Sequence, residues 1–185
     1  MEYVETYARE TGLDPLLVMA VIRQESLFGH FVVSDLGAVG VMQIMPPMAR
    51  YLGMKTLIYP ADYDRLLVTF LYGSSEAREF ALGKLKSYAK TLRRGYKKSQ
   101  GDMRARDERF DTERNIQAGC RYLAKLEKRL GSIDLALAGY YAGPTAIRRG
   151  LSRPVRRYVD AGQGFLSELP ADGYDQLARI SHDLS

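Results

Sequence analysis

Glu25 is the residue whose setting most invites chemistry. In the segment that starts at Asp14, the residues Leu17, Val18, Val21 and Ile22 recur at helical spacing. Glu25 falls one repeat beyond them on the same apolar face. A carboxylate carried there leaves water for a partly desolvated place. Desolvation disfavours the charged form and raises the pKa, which suits a general acid near neutral pH. The competing reading is a helix that frays after Ile22 and leaves Glu25 as a solvated terminal residue. Metal chemistry has less to work with. Cys120 is the only cysteine, and His30 and His182 stand far apart without ligand-forming neighbours, so catalysis by a Cys and His cluster is not expected.

The elements that must position Glu25 read as helices. Asp14 suits an N-cap and Pro15 the first helical position, so the first helix is predicted to begin there and to stop near Gly29. Residues 34–40 are small and glycine-bearing, a loop or tight turn, and 41–51 read as another helix interrupted early by Pro46-Pro47. The clearest helix is capped by Asp111, carries Ile116, Cys120, Leu123, Leu126 and Leu130 as its apolar stripe, and ends at Gly131. A short apolar helix follows over 133–141, stopped by Gly143-Pro144. One more turn is expected over 145–149 and a helical piece from Pro154 to Val159. No internal repeat stands out, and no alternating run demands a sheet. The fold class expected is mainly α.

The stretch 55–109 differs in character. Lys and Arg crowd residues 84–109, and Tyr59, Tyr63, Tyr72, Tyr88 and Tyr96 are interspersed through the whole stretch. That mixture admits nucleic-acid binding. However, Leu82, Leu85, Tyr88, Ala89 and Leu92 keep helical spacing, so the solvated face of an amphipathic helix is the preferred account. With 185 residues, 46% of them hydrophobic, the chain suits one folded domain with a sizeable core. A net charge of +5 permits nucleic acid, anionic lipid or acidic wall polymer as a partner, though an ordinary basic surface accounts for it equally well. No apolar run approaches the roughly 20 residues of a membrane span. Residues 13–22, which contain Asp14 and Pro15, read as a helix start rather than a signal peptide.

Four short motifs in order give the chain a resemblance. Glu25-Ser26 is followed by Gly37-Ala38-Val39-Gly40-Val41-Met42-Gln43, then Ala138-Gly139-Tyr140-Tyr141-Ala142-Gly143-Pro144, then Arg157-Tyr158-Val159. This series resembles the soluble lytic transglycosylase family, whose pattern is an E-S pair ending a helix, G-x-x-G-[LIV]-M-Q, A-Y-N-A-G-P and a tyrosine near the C-terminus. Gly12-Leu13-Asp14-Pro15, Asn115-Ile116 and the segment from Gly119 to Leu123 look like the family too. The resemblance covers about residues 3–53 and 110–160. It implies a helical fold shared with goose-type lysozyme and an active-site cleft. Residues 55–109 stand out as a helical insertion in a single catalytic domain over 1–185, expected to pack beside that cleft. Tyr141 departs from the pattern, since it stands where the family usually has asparagine.

Carried over by position, the resemblance makes Glu25 the catalytic acid and then base. It makes Ser34, Gln43, Met45, Tyr140, Tyr141 and Tyr158 substrate-binding residues around the scissile bond. Ser34 and Gln43 can hydrogen-bond sugar hydroxyl or acetamido groups, Met45 offers an adaptable apolar wall, and the tyrosines suit stacking on sugars. Each also has a bland reading as a core or surface residue. The implied reaction cleaves the bond from N-acetylmuramic acid to N-acetylglucosamine and leaves 1,6-anhydro ends, with no metal or organic cofactor. The implied partner is the glycan strand of peptidoglycan, with other cell-wall machinery a further possibility and no nucleic acid expected. The implied setting is periplasmic or cell-envelope, with any signal or anchor lying outside this chain. Two alternatives stay open: a lysozyme-like hydrolase, and a non-catalytic wall-binding or secretion-associated protein.

Overall fold

The helix capped by Asp14 is the second of the chain. The computed structural model describes residues 2–57, 60–98, 100–143 and 152–168, and α1, Glu2–Thr11, precedes it. Only Val4, Tyr7 and Ala8 of α1 are buried, a stripe too short to stand out in the sequence. In α2, Pro15–Ser26, the Asp14 carboxylate accepts from the Leu16 N–H at 2.8 Å, and Pro15 takes the first position. The helix ends before Gly29, because Leu27 adopts a left-handed φ of 51° and donates its N–H to the Arg23 carbonyl. That cap is usually a glycine's task. Here a leucine performs it, which is why Gly29 was the wrong stop.

The chain divides into two compact units, one of residues 1–28 with 116–185 and one of residues 29–115. The first holds α1, α2, most of α7 (Thr112–Leu130), α8 (Ile133–Ala142) and α9 (Arg153–Glu168). α2 packs against both α1 and α9, and α9 packs against α8. Leu17, Val21, Cys120, Leu123, Leu137 and Val155 are buried among them. Asp111 caps α7 by accepting from the Arg114 N–H at 3.0 Å. The helical piece expected over 154–159 is the start of the longer α9, while the turn expected over 145–149 lies outside the described residues.

The second unit holds α3 (Pro46–Tyr51), α4 (Tyr63–Tyr72), α5 (Ser75–Lys98), α6 (Gln100–Arg106) and a 3-10 turn (Glu108–Phe110). The helix expected over 41–51 is therefore confined to its last six residues. Residues preceding a proline are pushed to extended backbone, and Met45 sits at φ −72° and ψ 150°. The chain before it forms bridges that pair Val39 with both Val33 and Ile44. α4 packs along α5. Leu85, Tyr88 and Leu92 of α5 join Tyr63, Leu66 and Phe110 in a buried cluster. Lys84, Lys86, Lys90, Arg94, Lys97 and Lys98 are exposed on the same helix, so amphipathic spacing carried the correct reading there. Among the described residues, no helix is long and apolar enough to cross a membrane.

Candidate active site

Glu25 lies in the last turn of α2, which remains helical past Ile22, and the side chain is partly buried. The Tyr158 hydroxyl on α9 donates to its Oε1 at 2.7 Å. Gln24, the neighbouring residue, donates from Nε2 to the Tyr158 carbonyl at 3.0 Å. α2 thus grips α9 through both the side chain and the backbone of one tyrosine. Burial pushes the Glu25 carboxyl from the usual 4.5 up to about 7, against the opposing pull of the Tyr158 hydrogen bond, which favours the carboxylate. At neutral pH this group is divided between acid and base. Tyr158 itself is held well above the ordinary phenol range, by burial first and by the negative charge of Glu25 second, so it stays a neutral donor.

Two α8 residues add to the surroundings within this unit. Tyr141 stacks on Tyr158, with ring centroids 4.7 Å apart and planes at 24°, and the residue is 50% exposed. Tyr140 is buried and leans on Tyr122 at 5.7 Å. Its phenol is also raised, chiefly by burial and next by the charge of Glu25, so Tyr140 lies within the carboxylate's field. Cys120 is buried beside α8, and burial lifts its thiol to about 12, which removes it as a nucleophile at neutral pH.

Ser34, Gln43 and Met45 belong to the second unit, on a loop fixed by its own hydrogen bonds. The Ser34 hydroxyl accepts from the Ala38 N–H at 3.0 Å. Gln43 has a left-handed φ of 48°, and its side-chain amide donates to the Gly40 carbonyl at 2.9 Å and the Val32 carbonyl at 3.2 Å. Gln43 is buried, and its Oε1 accepts nothing among the described residues. Met45 is partly buried against the cluster that contains Tyr63 and Leu85, in keeping with its bland reading as a packing residue. Gly40, at φ 83°, leaves no room for a Cβ, which would fall on the Asn115 amide and 2.7 Å from the Arg109 carbonyl oxygen.

Three residues behind this loop escaped the sequence reading of its chemistry. Asn115 is fully buried and receives the Met42 N–H at 2.9 Å while donating to the Val39 and Arg109 carbonyls, each at 2.8 Å. Asp107 and Arg109 form an ion pair at 2.7 Å with neither side chain exposed. Arg109, at the end of the basic run expected to be solvated, is fully buried instead. Spacing alone does not mark it, since Asp102 stands two residues before the exposed Arg104 just as Asp107 stands two before Arg109.

The model of the Transglycosylase SLT domain matches residues 2–67 and 74–157. Among solved structures, an inactive mutant of the lytic transglycosylase Slt from Pseudomonas aeruginosa is similar over 89% of this chain and 22% of its own, at 20% identity and a TM-score of 0.50. The 70 kDa soluble lytic transglycosylase from Escherichia coli is similar over 89% of this chain and 19% of its own, at 23% identity and a TM-score of 0.46. The chain thus spans about a fifth of the length of these relatives. The likeness to the Pseudomonas enzyme supports the mainly helical, lysozyme-like fold. With a family model matched over most of its length, the chain belongs to the transglycosylase SLT domain family.

Proposed function

We propose that this chain is a peptidoglycan lytic transglycosylase in which Glu25 acts as acid and then as base. The observation that carries the reading is one carboxyl group, desolvated at the end of α2, raised to about 7 and oriented by Tyr158. Protonated Glu25 gives its proton to the oxygen that links N-acetylmuramic acid to N-acetylglucosamine. That bond breaks, and the muramyl acetamido group stabilises the developing positive carbon. The carboxylate then takes the proton of the muramyl 6-hydroxyl as its oxygen closes the 1,6-anhydro ring. One group thereby replaces the two carboxylates of most glycosidases.

Substrate contacts in this reading come from Ser34, Gln43, Met45, Tyr140, Tyr141 and Tyr158. The free Oε1 of Gln43 suits an acetamido N–H or a sugar hydroxyl. The ring of the half-exposed Tyr141 offers an apolar face to a sugar. The whole chain serves as one catalytic domain into which 55–109 is inserted, working in the cell envelope. Incubation with purified peptidoglycan tests the activity, with release of soluble fragments as the expected result. Binding to the wall without release would favour a non-catalytic wall-binding protein.

Two further outcomes follow from the tyrosine pair. Tyr158→Phe removes the hydrogen bond that favours the carboxylate, so the Glu25 pKa rises further. The alkaline limb of kcat/KM against pH should lie near pH 7 in the wild type and shift upward in the mutant. A limb that stays put, or moves down, contradicts the role given to Tyr158. Tyr141→Ala removes the ring that braces Tyr158. It should lower kcat/KM roughly tenfold, while stability falls by only about 1 kcal/mol, the value of an aromatic pair. Thermal melts run alongside the kinetics separate the two effects, and an unchanged kcat/KM would leave Tyr141 as a surface residue.

A further inference from the structure

The charge buried behind the loop that bears Gln43 has no part in the reaction as described. A guanidinium carries five N–H donors, and all five of Arg109's find acceptors. Nε meets Asp107 Oδ1 at 2.9 Å, and one terminal nitrogen meets Asp107 Oδ2 at 2.7 Å and the Tyr88 hydroxyl at 3.2 Å. The other terminal nitrogen donates to the carbonyls of Gly37, at 3.0 Å, and Ile44, at 3.5 Å. Burial alone would lower the Arg109 pKa, but the paired Asp107 carboxylate outweighs it and raises the value, so the charge is retained.

A fully buried ion pair is a poor source of net stability, because desolvating two charges offsets most of their attraction. What this pair does supply is geometry. Its two backbone acceptors flank the segment whose turn carries Gln43 at φ 48°. Gln43 in turn spends its amide hydrogens on Gly40 and Val32, within or beside the same loop. A shift of Gly37 or Ile44 would therefore move the free Oε1. Apolar residues could fill the space, but they could not hold two carbonyl groups at fixed points.

We infer that Arg109, held by Asp107 and Tyr88, is a positioning residue that sets the Gln43 side chain for glycan binding. The inference rests on the reading of Gln43 as a substrate contact. Arg109→Lys keeps the charge but cannot span Asp107, Gly37 and Ile44 at once. With soluble oligomers of alternating N-acetylglucosamine and N-acetylmuramic acid, it should raise KM roughly tenfold with kcat changed far less. A double-mutant cycle with Gln43→Ala decides the route. If Arg109 acts through Gln43, adding Arg109→Lys to Gln43→Ala should raise KM no further. Additive increases, or a loss confined to kcat, would overturn the inference while leaving Gln43 a substrate contact. A wild-type KM for Gln43→Ala would instead remove that substrate contact, and the inference with it. Should Arg109→Lys fail to fold by circular dichroism, Tyr88→Phe takes its place in the cycle. That substitution deletes only one hydroxyl acceptor, and it should show a smaller rise in KM with the same non-additivity.

Discussion

Replacing Glu25 with glutamine should abolish glycan cleavage while leaving a folded protein that is more stable at alkaline pH. The amide keeps the shape and can still accept from Tyr158, but it has no proton to transfer and cannot become a carboxylate. Since both steps of the reaction use this group, a rate loss of at least about a thousandfold is expected. The stability gain follows from the raised pKa. A folded-state value of about 7 against the usual 4.5 means that the native state binds the proton more tightly than the unfolded chain. Glu25 therefore carries no penalty below about pH 4.5 and destabilises increasingly as pH rises through 7. Glutamine escapes that penalty, by on the order of 2 kcal/mol at pH 8 once partial solvent screening is allowed for. Urea unfolding at pH 4.5 and pH 8 checks the sign. A mutant no more stable than wild type at pH 8 would show that Glu25 is not desolvated.

The largest effect on stability should come from Gly40→Ala, a single methyl group. Its φ of 83° already costs an alanine strain. The new Cβ would also meet the Arg109 carbonyl oxygen at 2.7 Å and the Asn115 amide. These are parts of the buried network and cannot swing aside as a surface side chain would. Relief requires breaking a hydrogen bond that Asn115 donates to Val39 or Arg109 or the one it accepts from Met42, each of which leaves a buried polar group unpaired. The expected loss is roughly 3 to 5 kcal/mol. Thermal and urea unfolding would measure it. Gly12→Ala, at a φ of 75° with nothing near its Cβ, provides the control for strain alone. Equal losses at both positions would mean that crowding at Gly40 contributes nothing.

The parts legible in the sequence were those set by local rules. Spacing of three and four residues put Glu25 on the face of Val18 and Ile22, and α2 does run through it. Asp14, Asp111 and Gly131 mark helix ends that capping chemistry recognises at sight. Where a rule was overridden, the reading failed. Leu27 ends α2 in a conformation that its side chain disfavours, and the pairing of Val39 with Ile44 holds the chain before Pro46 out of a helix. Arg109 shows the deeper limit. Nothing local separates it from Arg104 or Arg106, which are exposed. Its acceptor at Gly37 lies 72 residues away, and only the folded unit brings that carbonyl to it. Likewise, the Tyr158 hydroxyl that donates to Glu25 lies 133 residues along. Such pairings depend on how α9 meets α2, which no short window of sequence records.

The most direct measurement of the central claim is the mass of the fragments released from purified peptidoglycan by the wild-type chain, with Glu25→Gln run in parallel. If Glu25 takes the proton of the muramyl 6-hydroxyl while that oxygen bonds to the anomeric carbon, the released fragments carry 1,6-anhydro-muramyl ends. Each is then lighter by one water than the corresponding hydrolysis product, and the mutant releases none. Fragments with ordinary reducing ends would mean that water performs the second step and that the chain is a hydrolase. Undiminished release by a sequence-verified Glu25→Gln protein would contradict the assignment of Glu25 itself.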